Sequence, residues 1–102
     1  MKAEAAVRNG ENGNTELNLV RSRSGMGNRT ATLDNILAER LMELMWEGWR
    51  RNDLIRFNRF HQSNDLRTAP ETEADRHTIV FPIPSRALDL NEKLKQNKGY
   101  KR

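Results

Sequence analysis

Apolar residues recur along this chain mostly at helical spacing, and residues 36–57, ILAERLMELMWEGWRRNDLIRF, carry the fullest pattern. Leu33, Ile36, Leu37, Leu41, Leu44, Met45 and Gly48 fall at i, i+3, i+4 intervals, which places them on one helix face, and Met42 and Trp46 widen it. Thr32 is the expected N-cap, with Asp34 in the first turn facing the positive end of the helix. Gly48 is expected to close this helix and Asn52 to cap a second one, DLIRFNRF, with Asp53 in its first turn. On this reading Trp46 is a core residue. A helix apolar around so much of its circumference requires cover from two sides.

Upstream, KAEAAVRNG reads as a short helix ended by Gly10, and a second helix is expected from a Thr15 cap to about Arg23, with Leu17 and Val20 at helical spacing. Together they form an αα-hairpin, which cannot bury its own apolar face alone. The first helix has no N-cap and looks like the end of something longer. Downstream, residues 61–78 have no period and are expected to form a long irregular loop. TIVFPIP is β-branched but interrupted by Pro82 and Pro84, which bar a central strand, so it should lie extended on the surface. One helical turn is expected from Ser85, followed by a coil docking through Leu94 and Tyr100. The resulting class is all-α, with a truncated hairpin (1–24), a main helix and its short successor (32–60), and a loop, extended segment and tail (61–102).

Composition narrows the function. With 102 residues, 35% hydrophobic residues and a mean hydropathy of −0.92, the core must be thin. The absence of cysteine excludes disulfides and thiolate chemistry. A net charge of +4 suggests a nucleic-acid partner, but residues 1–85 hold 12 basic and 12 acidic side chains, so the excess lies entirely in the tail. There Lys93, Lys95, Lys98, Lys101 and Arg102 stand among Asn, Gln and Gly with only Tyr100 for base stacking. A small basic protein binding nucleic acid through this tail is the rival reading, and a solvated tail is the expected one.

No catalytic constellation is present. His61 and His77 have no cysteine or paired carboxylate at ligand spacing, so neither a metal site nor a cofactor site is expected. Glu39, Glu43 and Glu47 stack on one helix face and would repel unless neutralised. Arginines lie close in sequence, so Glu39, Arg40, Glu43, Glu47, Arg50 and Asp53 are expected to form a structural ion-pair network, with Arg56, Arg21 and Arg23 as further cations. Of the aromatic residues, Trp49 alone falls in the inter-helix turn and is the candidate for stacking on a sugar ring.

Residues 36–57 resemble the signature of the SusD/RagB family, an E-R-x-x-E-L-x-x-E-G-x-R-x-x-D-L helix and turn. Glu39 and Arg40, Glu43 and Leu44, Glu47 and Gly48, then Arg50, Asp53 and Leu54 occupy its positions. Phe81, Pro82, Ile83 and Pro84 resemble the family's F-P-I-P motif, and Asn91 to Tyr100 its closing N-P-N-L-x-Q-N-P-G-Y, with Glu92 and Lys98 where proline is usual. KAEAAVRNG and LNLVRSRSGM are similar to its last tetratricopeptide-like hairpin. The resemblance covers nearly the whole chain and implies the C-terminal piece of a longer, non-enzymatic lipoprotein on the outer-membrane surface of Bacteroidota-type bacteria. It further implies that the parent protein captures oligosaccharides or other nutrients and passes them to a SusC-like TonB-dependent transporter. The lipid-bearing cysteine, the signal peptide and the N-terminal helices that usually carry most of the ligand site are missing here, so this segment is expected to be scaffold packed against the rest of the parent chain.

Overall fold

A computed structural model of the chain describes residues 1–62 and 76–101. Its elements are α1 (Lys2–Arg8), α2 (Asn14–Arg23), α3 (Leu33–Glu43), α4 (Arg50–Arg56), a 3-10 turn (His77–Ile79) and α5 (Ser85–Leu90), and no strand occurs among the described residues. The class is therefore all-α. The chain divides into two compact units, Met1–Phe57 and Asn58–Arg102.

In the first unit, α1 and α2 form the expected hairpin, turned by Gly10 at φ 78°. The cap of α2 differs from expectation: Gly13 holds the N-cap position, Asn12 accepts from the Asn14 N–H, and Thr15 lies inside the helix. Glycine is required at 13 by proximity, since a Cβ there would sit 2.6 Å from the Ala3 carbonyl oxygen. Ala3, Leu17 and Ile36 make the core where α1, α2 and α3 meet, with Val7, Ala31 and Phe57 packed against it.

Thr32 caps α3 as its sequence position predicts, its hydroxyl accepting from the Asn35 N–H at 3.1 Å. The helix then stops five residues short of Gly48. Leu44 is its C-cap, and Trp46 (φ 70°) and Gly48 (φ 76°) take left-handed conformations in the turn that follows. Short helices persist only where packing supports them, and beyond Leu41 only Leu44 of the apolar face is partly covered. Met42, Met45 and Trp46 are exposed, Trp46 at 97%, so the indole placed in the core by its spacing stands in solvent. α4 starts at Arg50 with Trp49 as N-cap, three residues before the expected helix, and Asn52 lies within it.

In the second unit, residues 80–84 run extended after the 3-10 turn, and α5 begins at Ser85 as expected. The expected long loop lies largely outside the described residues. The tail docks through Tyr100, whose hydroxyl donates to the Val80 carbonyl, but Leu94 is exposed and makes no anchor. Gln96 and Asn97 also hold it, through the Ile83 and Phe81 backbone. Among the described residues no helix is long and apolar enough to cross a membrane.

Candidate functional site

The polar residues that the sequence singles out lie on the facing sides of α3 and α4 and on the helices packed against α3. Glu39 turns toward α2 and takes a hydrogen bond from Arg21 Nη1 at 2.5 Å, both side chains nearly excluded from water. One turn further on, Glu43 pairs with Arg23, which is mostly exposed. Arg40 faces the other way and donates through Nε to Asp53 Oδ2 at 2.8 Å. The other Asp53 oxygen accepts from Arg56 Nη2 at 2.8 Å. Arg56 Nη1 continues to Glu4 on α1, whose Oε1 also accepts from Arg8 Nε at 2.9 Å. A continuous string of charges thus joins α3, α4 and α1, and a Lys2–Glu16 pair at 3.0 Å ties α1 to α2.

Two expected members of the network stand apart from it. Glu47 lies in the turn after α3, is exposed, and makes no ion pair among the described residues, because α3 ends before it. Arg50 donates to the Leu37 carbonyl at 3.1 Å instead of to a carboxylate. Glu4 and Arg8 lie outside the expected set, although their i, i+4 spacing on one helix marks them as a pair. The Glu4–Arg56 contact spans 52 residues of sequence, and no local pattern points to it.

Burial works against the charge on Glu4, but hydrogen bonds and charge from Arg56 and Arg8 outweigh it and hold the carboxyl below its ordinary range. Asp53 shows the same balance, with Arg40 and Arg56 as the cations. The hydrogen bond to Glu4 raises Arg56 further above its already high value. The guanidinium groups of Arg8 and Arg56 each lie 4.9 Å from the Phe57 ring centroid, so both cations also have an aromatic face. Glu4 Oε2 is buried with no hydrogen-bond partner among the described residues, an uncompensated cost set against these gains.

A hollow of about 320 Å³ lies at the α3–α4 turn, lined by Arg40, Leu41, Met45, Trp46, Arg50 and Asp53. Its polar groups are already engaged: Arg40 and Asp53 with each other, Arg50 with a carbonyl. A carboxylate held ionised between two arginines is a poor general acid at neutral pH. What the hollow offers is apolar surface from Met45 and Trp46. Trp49 is half-exposed beside it as the N-cap of α4. A second hollow of about 270 Å³, floored by Ala3, Leu17, Val20, Ile36 and Leu44, opens where α1, α2 and α3 meet. No group of three or more side chains suited to hold a metal is assembled among the described residues.

This arrangement of short helices latched by arginine–carboxylate pairs accompanies a match to known proteins over nearly the whole sequence. The starch-binding protein SusD of Bacteroides thetaiotaomicron is 30% identical over 98% of this chain, an alignment that takes in 19% of that protein. The chain therefore spans about a fifth of the length of the curated relative it matches. The SusD family model matches residues 1–100, and the chain belongs to the SusD family.

Proposed function

We propose that this chain is the C-terminal scaffold segment of a longer, non-enzymatic SusD-like protein that binds glycans or related nutrients at the outer-membrane surface and delivers them to a SusC-like TonB-dependent transporter. Within it, residues 1–24 form a helical hairpin, 32–60 the signature helix and its successor, and 61–102 the loop, extended segment and tail. The observation that carries this reading is the family match across residues 1–100, together with a starch-binding relative about five times as long as the aligned segment.

Two features of the first unit support a scaffold role over a ligand-binding one. Its buried carboxylates Glu4, Glu39 and Asp53 are each paired with an arginine from another helix, an arrangement that ties helices together. Its exposed apolar residues, Met42, Met45 and Trp46, continue the buried face of α3 and offer a packing surface for the rest of the parent chain.

Affinity electrophoresis of the protein encoded by the whole reading frame, in gels containing soluble starch, xylan or β-glucan, tests the proposal. Retardation by at least one polysaccharide, unchanged by Trp49→Ala, is the expected result. Loss of retardation in Trp49→Ala would move the ligand site into this segment. Failure of every polysaccharide, joined by salt-sensitive DNA binding that deletion of residues 93–102 abolishes, would replace the proposal with the basic-tail reading.

A further inference from the structure

The segment 80–83 follows a 3-10 turn closed by the Val80 N–H on the His77 carbonyl, and beyond that turn its backbone meets side chains from a distant part of the chain. It runs extended from Val80 onward, Pro82 and Pro84 cannot donate, and no strand lies beside it among the described residues. Val80 and Phe81 are more than half exposed, so apolar burial does not fix its course either. Side chains of the tail supply partners. Gln96 Oε1 accepts from the Ile83 N–H at 2.8 Å, and Gln96 Nε2 donates to the Ile83 carbonyl at 2.9 Å. One side-chain amide thereby supplies the donor and acceptor that a neighbouring strand residue would supply in a ladder.

The next residues extend the pattern in step. Asn97 Nδ2 donates to the Phe81 carbonyl and the Tyr100 hydroxyl to the Val80 carbonyl, both at 2.8 Å. The Tyr100 ring stands edge-on to His77, with centroids 4.8 Å apart. Gly99 between them has φ 88°, and a Cβ there would lie 2.3 Å from Cγ of His77. Glycine is thus required twice over, for its backbone angle and for the ring it admits. The Asn97 N–H donates to Gln96 Oε1 and fixes the amide's orientation.

We propose that residues 96–100 are a strap that does the work of a β-strand: Gln96, Asn97 and Tyr100 hold residues 80–83 in their extended course, and Gly99 lets the His77 ring seat against Tyr100. The strap keeps Val80 and Phe81 presented outward on a backbone that no strand accompanies among the described residues. Glutamine is the side chain the position calls for. Glutamate keeps the acceptor and loses the donor, and asparagine has one methylene fewer to span the gap.

Hydrogen exchange of the full-length chain, resolved by residue with NMR, tests the strap. Gln96→Ala is expected to speed exchange of the Ile83 amide roughly tenfold or more, because it removes both bonds to that residue. Gly99→Ala should speed it by a different route, since it touches none of the hydrogen-bonding groups of Gln96. Tyr100→Phe, which keeps the ring on His77, should have a smaller effect. Amides of α3 should exchange at their original rates in all three variants. Unchanged Ile83 exchange in Gln96→Ala would overturn the proposal. So would an equal acceleration in α3, which would mean general unfolding instead of release of a strap.

Discussion

Residues 1–57 are joined by charge and residues 77–100 by neutral hydrogen bonds, although both regions are short segments with little apolar area to bury. In the first, Glu4, Glu39 and Asp53 sit nearly out of water and each meets at least one arginine from another helix. In the second, amide and hydroxyl side chains meet backbone carbonyls, and no carboxylate takes part in the strap. The difference follows from what each backbone leaves unsatisfied. Helices bond their own N–H and C=O groups, so inter-helix side chains are free to pair with one another. An extended segment without a sheet has open backbone groups, and side chains must go to those first. A buried ion pair is strongly harmed by loss of one member, whereas a neutral bond to backbone contributes about 1 kcal/mol and fails locally.

Acid offers the largest break in that contrast. Glu4 and Asp53 titrate lower in the folded chain than unfolded, so their stabilisation is complete above the ordinary carboxylate range and is lost as pH falls through their lowered values, from about pH 4 downward. Helical circular dichroism of the chain should collapse over that range. A signal that stays flat to about pH 2 would show that the charges are incidental to the first unit.

Asp53→Ala comes next. It leaves Arg40, only 16% exposed, without its carboxylate, and should cost about 3 kcal/mol. The expected fall in Tm is roughly 12–24 °C, measured by thermal melting at neutral pH. A shift of a degree or two would assign the first unit's stability to the Ala3, Leu17 and Ile36 core instead. Thr32→Ala removes one cap hydrogen bond and should cost about 1 kcal/mol in the same melt. Smallest is Arg23→Ala: its side chain is 70% exposed, so the pair with Glu43 should contribute under about 0.5 kcal/mol. Arg21→Ala, two residues away and buried, should cost several times more. Equal effects at 21 and 23 would remove burial as the variable that separates them.

Local features of this fold are legible in the sequence. The Thr32 cap depends on residues three apart, and the extended course of 80–84 depends on two prolines, so both can be read without tertiary knowledge. Arg21 and Arg23 also announce themselves as cations able to meet the α3 glutamates. The end of α3 does not. Its apolar spacing continues through Met45 to Gly48, but a helix persists where something packs on it, and that information is not in the repeat. For the same reason Glu47 misses the network and Trp46 misses the core. The Glu4–Arg56 contact and the Gln96 amide against Ile83 join residues 52 and 13 positions apart, and only the folded path brings them together.

Trp46 has an optical consequence. An indole surrounded by water emits at long wavelength, and contact with apolar atoms moves that emission to the blue. With 97% of its surface exposed at the end of the α3 apolar face, Trp46 makes this chain a fluorescent indicator of its own coverage. Whatever comes to lie over Met42, Met45 and the turn beyond them will report its arrival as a change of colour, with no label attached.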